Sequence, residues 1–296
     1  MAVLFLRIIG IHTNIQKDQD LNVTRYIIAY LIKNAVQVRT NIELAGYLGM
    51  PHLGLTETEM QKSIEILIVL GGDGTILNAS RIYSLWKIPI LGVNLGHLGF
   101  LSEIEVADIE DGIEKFLIGN FHVEERMMLC ANTIRNGQTG ENLYALNDIG
   151  IARNSLSRMI HIEVYINDNY VDRYPADGFI VSSPTGSTAY SLSAGGPIIS
   201  PNMHCLLLTP ICPHTLHSRP IVIADHEIVR LKVINQNQNQ GIVLTLDGQQ
   251  GHQLLTEDWV VIKKAQNCAQ FIRVTERNFY TLLRKKLSEW SGSNEE

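Results

Sequence analysis

The most constraining part of the sequence is an apolar run that leads directly into a glycine-rich turn and a helix. Residues 64–70 read Ile-Glu-Ile-Leu-Ile-Val-Leu, which is typical of a parallel strand covered on both faces. The turn at residues 71–75, Gly-Gly-Asp-Gly-Thr, comes next, and apolar residues at helical spacing continue to Trp86. A strand, a turn and a helix in this order predict a layered α/β domain.

The alternation of strands and helices extends over residues 1–120 and then stops. The predicted elements of this part are strands at 2–11, 36–43, 64–70 and 88–93 and helices at 21–33, 75–86 and 108–117. The later part is mostly β, with predicted strands at 127–134, 143–152, 159–166, 178–182, 221–223, 227–234, 241–246 and 259–264 and a last helix at 278–290. The polar tract at 235–240 is interpreted as a solvated loop. A length of 296 residues also favours two domains.

Composition excludes several broad classes of protein. The chain is 45% apolar and 18% charged with a net charge of −6, so it is not disordered as a whole and has no basic field to gather nucleic acid or anionic lipid. No run of about 18 uncharged apolar residues is present, and residues 1–10 lack the basic start of a signal peptide. We therefore expect a cytoplasmic protein without a nucleic-acid or membrane partner. Its cysteines show no Cys-x-x-Cys spacing and are expected to be buried thiols: Cys130, Cys205, Cys212 and Cys268.

The turn at 71–75 has the chemistry of a phosphate-binding segment. Its glycines let backbone N–H groups approach an anion at the helix N-terminus. A tight turn capped by Thr75 is the structural alternative. Asp73 favours a catalytic or metal-binding role over a purely structural turn, because a carboxylate repels phosphate unless it coordinates a metal or accepts a proton from a hydroxyl nucleophile. Neither the Gly-x-x-x-x-Gly-Lys-Ser/Thr signature nor a Gly-x-Gly-x-x-Gly after the first strand is present.

Three further segments carry polar or glycine-rich sequence where a ligand could bind. Residues 92–103 form a second glycine-rich connection after a strand, and Phe100 within it could stack on a nucleobase or pack in the core. Residues 177–197 contain seven Ser or Thr and four Gly in 21 positions, which suits neutral contacts to a ligand; a capped polar loop is the alternative. The pair Asn147-Asp148 in an apolar strand is either a bulge or a ligand contact.

Taken in order, these segments closely resemble the bacterial NAD kinase family over nearly the whole chain. The Gly-Gly-Asp-Gly turn alone is shared with diacylglycerol and sphingosine kinases and with phosphofructokinases. The stretch Pro-Thr-Gly-Ser-Thr-Ala-Tyr at 184–190 is far more specific. The full resemblance rests on the stretches 71–74, 94–100, 147–148, 177–178, 183–197, 213–215, 219–220 and 247–249.

The resemblance implies both a fold and a reaction. The fold is a Rossmann-like α/β domain at residues 1–122, an all-β sandwich at 123–272 and a terminal segment, 273–296, that returns to the first domain. The reaction is transfer of the γ-phosphoryl group of ATP to the 2′-hydroxyl of the adenosine ribose of NAD, with Mg²⁺, to give NADP. Asp73 is implied to orient or deprotonate that hydroxyl. Because a carboxylate is a weak base, we expect proton transfer late, after a loose transition state has developed.

The resemblance also assigns binding residues and an assembly. Phe100 is expected near the adenine, Asp177 at the nicotinamide side, and the pair 147–148 at ribose hydroxyls. No metal ligand is assigned, and a homodimer or homotetramer is expected. The residues expected to face the ATP phosphates are Gly71, Gly72, Gly74 and Thr75. Those expected to bind NAD are Asp73, Gly74, Phe100, Asn147, Asp148, Arg158, Asp177, Thr188, Ala189, Tyr190, Ser191, Leu192, Ser193 and Gln249.

Two positions depart from the family pattern, and two other functions compete. Many relatives have a basic residue two places before Asp177, where this chain has Pro175, and Ser183 stands where Thr is common. The first change is expected to weaken a charged contact to the dinucleotide. The alternative functions are a lipid kinase of the diacylglycerol or sphingosine type and a non-catalytic NAD(P)-binding module. The hydroxyl-rich segment disfavours an acyl-chain slot, and the intact Asp73 disfavours a non-catalytic protein.

Overall fold

The computed structural model describes residues 8–96, 99–153, 159–215, 217–234, 241–276 and 278–291, with side chains described as far as residue 288. The chain divides into two compact units. Unit 1 is Met1–Glu125 together with Gln270–Glu296, and unit 2 is Arg126–Ala269. No helix within the described ranges is both long enough and apolar enough to span a membrane.

Unit 1 is built on a parallel sheet with helices between its strands. Every residue of its fourth strand is buried, which explains the unbroken aliphatic sequence there. The strands are β1 (Ile8–Thr13), β2 (Gln37–Asn41), β3 (Gly54–Leu55), β4 (Ile66–Gly71), β5 (Ile90–Asn94) and β6 (Ile104–Glu105), in the order β3-β2-β1-β4-β5-β6. The helices are α1 (Asn22–Lys33), α2 (Ile42–Leu48), α3 (Glu57–Ser63), α4 (Asp73–Tyr83) and α5 (Ile109–Leu117).

The strand order of unit 1 reverses between β1 and β4. From this pair the sheet continues to β2 on one side and to β5 on the other. The carboxyl ends of β1 and β4 therefore flank a topological switch point, which is the usual ligand position in an open α/β sheet. The turn at 71–75 leaves β4 at this point, and residues 14–17 leave β1 beside it.

Two short helices of unit 1 were not predicted. The expected strand at 36–43 ends at Asn41, whose side chain accepts a hydrogen bond from the N–H of Leu44 (2.8 Å) and so begins α2. Thr56 and Glu59 form a complete capping box at the start of α3. Both caps are visible in the sequence as an Asn and a Thr-x-x-Glu, but each helix is only 7 residues long and shows little apolar periodicity.

Unit 2 consists of two antiparallel β-sheets packed as a sandwich. One sheet has the order β12-β11-β16-β19, with β7 beside β19 and both β8 and β9 beside β7; the other has the order β15-β14-β13-β10-β17-β18. The strands are β7 (His122–Arg135), β8 (Gln138–Thr139), β9 (Leu143–Ala145), β10 (Asp148–Arg153), β11 (Ile160–Ile166), β12 (Asn169–Ala176), β13 (Gly178–Ser182), β14 (Cys205–Ile211), β15 (Ile221–Ala224), β16 (Val229–Ile234), β17 (Ile242–Leu246), β18 (Gln250–Leu254) and β19 (Trp259–Arg273). A short α-helix, α6 (Tyr190–Ser193), follows β13.

The burial of each strand in the sandwich explains which strands could be predicted from the sequence. Strands β11, β16 and β17 alternate buried and half-buried residues, so their period of two is visible. Strand β14 is buried at every position, but Thr209 and Pro210 interrupt its apolar sequence, and β12 is mostly polar. Neither was predicted. Strand β18 was also missed. The predicted strand at 143–152 is in fact two strands, β9 and β10, and the tract at 235–240 lies outside the described residues.

The chain returns to unit 1 through the second half of β19. Phe271 pairs with Ile90 of β5 in parallel, and α7 (Phe279–Ser291) follows. The prediction for the cysteines is right for two of them: Cys130 and Cys205 are buried, whereas Cys268 is half-buried and Cys212 is exposed at the end of β14. None of the four forms a disulfide.

Candidate active site

The glycine turn places Asp73 at the first position of α4. Gly72 is the N-cap, and its carbonyl accepts hydrogen bonds from the N–H groups of Thr75 (2.9 Å) and Ile76 (3.2 Å). Thr75 is therefore inside the helix, and the alternative in which it caps the helix is wrong. The helix has 11 residues, and its positive N-terminal end favours a carboxylate or a phosphate at this point.

The carboxylate of Asp73 is held by the loop that follows β5. Its Oδ2 accepts a hydrogen bond from the backbone N–H of Phe100 (2.8 Å), and its Oδ1 accepts one from that of Leu101 (3.2 Å). Gly99 makes this approach possible, because a Cβ atom there would lie 1.9 Å from Oδ1. The two glycine-rich segments of unit 1 thus meet at Asp73, and the second segment fixes its side chain.

The ring of Phe100 packs within unit 1. It is half-buried, and its centroid lies 6.2 Å from that of Phe279 at the start of α7. This contact agrees with the interpretation of Phe100 as a packed aromatic. Because the ring is only half-buried, its predicted contact with adenine stays a prediction.

In unit 2, the polar pair predicted to bind ribose lies at a strand break. Asn147 falls between β9 and β10, and Asp148 begins β10. The carboxylate of Asp247 accepts hydrogen bonds from three successive N–H groups, those of Leu146 (3.2 Å), Asn147 (2.7 Å) and Asp148 (3.3 Å). Asp247 has a φ of 51°, a left-handed conformation that Asp adopts more readily than most residues. The pair is therefore a break fixed by Asp247 and not a bulge within one strand.

Asp148 has an unusual environment for a carboxyl group. Its exposed fraction is 4%. Burial, and to a lesser extent the negative charge of Asp247, raises the pKa of Asp148 to about 7. A carboxyl group that titrates near neutrality can both donate and accept a hydrogen bond, which matches the needs of a sugar hydroxyl.

The hydroxyl-rich segment has buried and exposed members. Ser183 donates to the carbonyl of Leu146 (2.6 Å), Ser187 donates to that of Pro184 (2.7 Å), and Ser191 shares a hydrogen bond with Thr209 (3.0 Å). All three serines are 0% exposed, so the structure itself uses their hydroxyl groups. The predicted NAD-binding residues of this segment that remain accessible are the exposed Tyr190 and Ser193 and the half-buried Thr188, Ala189 and Leu192.

Comparison with known proteins identifies the family. The model of the ATP-NAD kinase N-terminal domain matches residues 9–121, and that of the ATP-NAD kinase C-terminal domain matches residues 146–274. An NAD kinase of Caldanaerobacter subterraneus subsp. tengcongensis is 46% identical over 281 residues, which are 95% of this chain and 99% of that protein. The chain belongs to the NAD kinase family. An NAD kinase of Thermoanaerobacter sp. is 44% identical with the same coverage. The resemblance seen in the sequence is confirmed, and the lipid-kinase and non-catalytic alternatives are rejected.

Solved structures of this kinase family share the fold. A yeast NADH kinase in complex with NADH superposes with a TM-score of 0.87 at 24% identity, covering 98% of this chain and 89% of that one. An NAD kinase from Archaeoglobus fulgidus in complex with ATP gives a TM-score of 0.76 at 24% identity, covering 95% and 99%. The predicted fold class, a Rossmann-like α/β part followed by a β-sandwich, is confirmed.

Lys17 lies beside the glycine turn and was not predicted from the sequence. Its Nζ atom lies 2.9 Å from the position that a Cβ atom would take on Gly72. Its backbone N–H bonds to the carbonyl of Asn14 (3.0 Å), and the N–H of Asn14 bonds to that of Leu70 at the end of β4 (2.9 Å). A cation therefore stands at the glycine turn. Finding it requires knowing that β1 and β4 are neighbours, because the two segments are far apart in the chain.

A basic residue also stands beside Asp177, despite Pro175. Nε of Arg153, on β10, donates to Oδ1 of Asp177 (2.7 Å). This hydrogen bond lowers the pKa of Asp177 below its usual value. The sequence reasoning did not single out Arg153. Of the other predicted residues, Gln249 is exposed in the turn between β17 and β18, and Arg158 lies outside the described residues.

Proposed function

We propose that this protein transfers the γ-phosphoryl group of ATP to the 2′-hydroxyl of the adenosine ribose of NAD, forming ADP and NADP. The proposal rests on one observation above the others. In a chain of the NAD kinase family, Asp73 stands at the N-terminus of α4, beside a glycine turn, with its carboxylate fixed by two backbone N–H groups. An anchored carboxylate beside a phosphate-binding turn can orient a hydroxyl group that accepts the phosphoryl group.

The donor side of the reaction is assigned to the turn. Gly71, Gly72, Gly74 and Thr75 face the triphosphate through backbone N–H groups at the start of α4. Lys17 adds a positive charge beside Gly72, at the switch point between β1 and β4. Mg²⁺ bound with the triphosphate would neutralise charge on its oxygens. Nucleotide-bound Mg²⁺ is held mostly by phosphate and water oxygens with one or two carboxylates, and Asp73 would be the carboxylate at this turn.

Asp73 acts on the acceptor hydroxyl. Each of its oxygens accepts one N–H bond and retains a second lone pair, so the carboxylate can accept the 2′-hydroxyl without leaving the loop. A carboxylate is too weak a base to form an alkoxide in the ground state. It therefore orients the hydroxyl first and receives its proton late, after the bond to the leaving group has loosened. Positioning and electrostatics supply most of the rate.

The residues assigned to NAD are those that the family resemblance implies. Asn147 and Asp148 hold ribose hydroxyls, Phe100 lies near the adenine, and Asp177 lies at the nicotinamide side. The structure uses the side chain of Ser191 internally, so we assign side-chain contacts of its segment to Thr188, Tyr190 and Ser193 and backbone contacts to Ala189, Ser191 and Leu192. Gly74, Arg158 and Gln249 complete the proposed NAD-binding set.

The test is an assay of NADP formation from ATP, Mg²⁺ and NAD, with NADH and other triphosphates as alternative substrates. Asp73→Asn is expected to lower kcat by about 10³-fold, because it removes the proton acceptor and one of the two anchoring oxygens. Binding of NAD, measured by calorimetry, should change less than about threefold. Turnover of a lipid alcohol without phosphorylation of NAD would refute the assignment.

Three further parts of the proposal concern assembly, location and domain bounds; the assembly follows the family resemblance and the location follows the composition. The protein is a homodimer or homotetramer, it acts in the cytoplasm, and its domains are residues 1–122, 123–272 and 273–296. Light scattering on the purified protein tests the first, cell fractionation the second, and limited proteolysis the third. A monomer at micromolar concentration that is fully active would contradict the first.

A further inference from the structure

The loop that holds Asp73 is itself held by the C-terminal part of unit 1. Leu101 gives its N–H to Asp73 (3.2 Å), and its carbonyl accepts a bond from Nη1 of Arg273 (3.1 Å). Arg273 ends β19 and is 8% exposed. A guanidinium from the far end of the chain thus fixes the residue next to the catalytic carboxylate.

Glu103 strengthens this attachment two residues further along the loop. Its exposed fraction is 1%, and its carboxylate accepts four hydrogen bonds from three consecutive residues. These come from Nη1 of Arg273 (3.2 Å), the N–H of Val274 (3.0 Å) and both the N–H (2.8 Å) and the hydroxyl (2.6 Å) of Thr275. Nε of Arg273 also bonds to Glu124 (2.7 Å). Both charged groups are buried. Replacing Arg273 therefore leaves the carboxylate of Glu103 without its charged partner, whereas replacing Glu103 leaves Arg273 paired with Glu124.

A third contact comes from the same segment. Phe279 packs its ring against that of Phe100, the other residue whose N–H holds Asp73. We call Arg273, Val274, Thr275 and Phe279 the C-terminal clamp. The clamp touches the loop at Phe100, Leu101 and Glu103. The loop is also tied by hydrogen bonds from the N–H of Gly99 to the hydroxyl of Ser102 (3.2 Å) and from the N–H of Glu103 to the carbonyl of Gly92 (2.9 Å).

We propose that Arg273 and Glu103 are positioning residues for phosphoryl transfer. They hold the N–H groups of residues 100 and 101 in place, and these groups keep the carboxylate of Asp73 in one orientation. Neither residue needs to touch a substrate. Buried ion pairs contribute little to stability when compared with apolar replacements. The hydrogen bonds of Arg273 and Glu103 to this backbone instead fix the direction in which its N–H groups point. The inference rests on the proposed role of Asp73.

The experiment compares kcat and KM for Arg273→Met and Arg273→Lys with those of the wild-type protein. A displacement of about 1 Å at a catalytic group lowers rates by about 10²-fold, so Arg273→Met should lower kcat by roughly 10- to 100-fold. The KM values for ATP and NAD should stay within about threefold. Lys can still donate to Leu101 or Glu103, so Arg273→Lys should recover part of kcat. If Arg273→Met does not fold, Glu103→Gln replaces it, since Gln keeps the shape of the side chain.

A matched pair in unit 2 separates positioning from stability. Arg135 forms a bidentate pair with Asp258, with bonds of 3.0 and 2.7 Å; the Asp258 side chain is 2% exposed and that of Arg135 is 46% exposed. Arg135→Met should lower the melting temperature as Arg273→Met does but leave kcat unchanged. Equal kcat values for these two variants, or a loss confined to melting temperature, would overturn the proposal.

A double-mutant cycle distinguishes failure of the clamp from failure of the proposed function. If both residues act through the Asp73 carboxylate, Arg273→Met should have little further effect on kcat in the Asp73→Asn background. Independent, multiplying effects would show that Arg273 acts elsewhere. Absence of NADP formation by the wild-type protein would instead refute the proposed function itself.

Discussion

Replacement of Gly99 by Ala tests whether the position of the Asp73 carboxylate controls the rate. An alanine Cβ would lie 1.9 Å from Oδ1 and 2.3 Å from Cγ of Asp73. Ordinary contact begins at about 3.4 Å, so the carboxylate or the loop must move by roughly 1.5 Å, the difference between 3.4 and 1.9 Å. Gly99 does not have a left-handed backbone conformation, so alanine introduces this collision without backbone strain.

The magnitude follows from the size of this displacement. Misplacement by about 1 Å lowers catalytic rates by about 10²-fold, which corresponds to about 2.7 kcal/mol in activation free energy. The hydrogen bonds from Phe100 and Leu101 to Asp73 are charge-assisted, worth about 1.5–3 kcal/mol each, and at least one of them must lengthen. We therefore expect Gly99→Ala to lower kcat by about 100-fold or more.

The control is Gly96→Ala in the same connection. Gly96 is exposed, a Cβ atom there would meet nothing within 4 Å, and its backbone is not left-handed either. The assay is initial-rate formation of NADP at saturating ATP and NAD, with melting curves for both variants. Gly96→Ala should keep kcat within about twofold. A folded Gly99→Ala protein with kcat within threefold of wild type, or equal losses in the two variants, would refute the reasoning.

Two other variants test the charge beside the glycine turn and the buried carboxyl group of Asp148. Lys17→Met should raise the KM for ATP by about 10-fold while that for NAD is unchanged, because one charge beside Gly72 is lost; Lys115→Met, at an exposed helical ion pair, should change neither. The pKa of Asp148 is raised to about 7, above the value of about 3.9 in an unfolded chain. The folded state therefore binds more protons between these values, and its stability falls as pH rises from about 4 to 7. Asp148→Asn should remove this loss and raise the free energy of unfolding at pH 8 by up to about 4 kcal/mol, at about 1.4 kcal/mol per pKa unit. Chemical denaturation at pH 5 and 8 tests this, and parallel pH profiles for wild type and variant would contradict it.

The sequence was most informative where one local pattern has one physical cause. The aliphatic run before residue 71 is typical of a strand covered on both faces, and the glycines after it indicated a backbone that approaches another group closely. In the structure, a Cβ atom on Gly71 would lie 2.3 Å from the hydroxyl of Thr75, and one on Gly72 would lie 2.9 Å from Nζ of Lys17. The local sequence pattern was therefore sufficient to predict the fold class and the close packing at the glycine turn.

The sequence was least informative where a contact depends on which strands are neighbours. Lys17 lies beside Gly72 only because β1 pairs with β4, and Asp247 bonds to the backbone at residue 147 only because β10 pairs with β17. Arg273 reaches Glu103 across an even longer separation in the chain. Strand β12 and the two helices of 7 residues were missed because a mostly exposed strand and a very short helix show little apolar periodicity.

The return of the chain to unit 1 has a consequence for biosynthesis. Strands β1–β5 and Asp73 leave the ribosome early, but Arg273 and Phe279 follow only after the whole of Arg126–Ala269 has been made. At about 5–20 residues per second, this interval is roughly 10–30 s. During that time the nascent chain has its phosphate turn without the contacts that steady the catalytic loop. The hydrogen bonds and ring contact that tie the loop at 99–103 to Arg273 and Phe279 therefore form only after residue 279 has been synthesised.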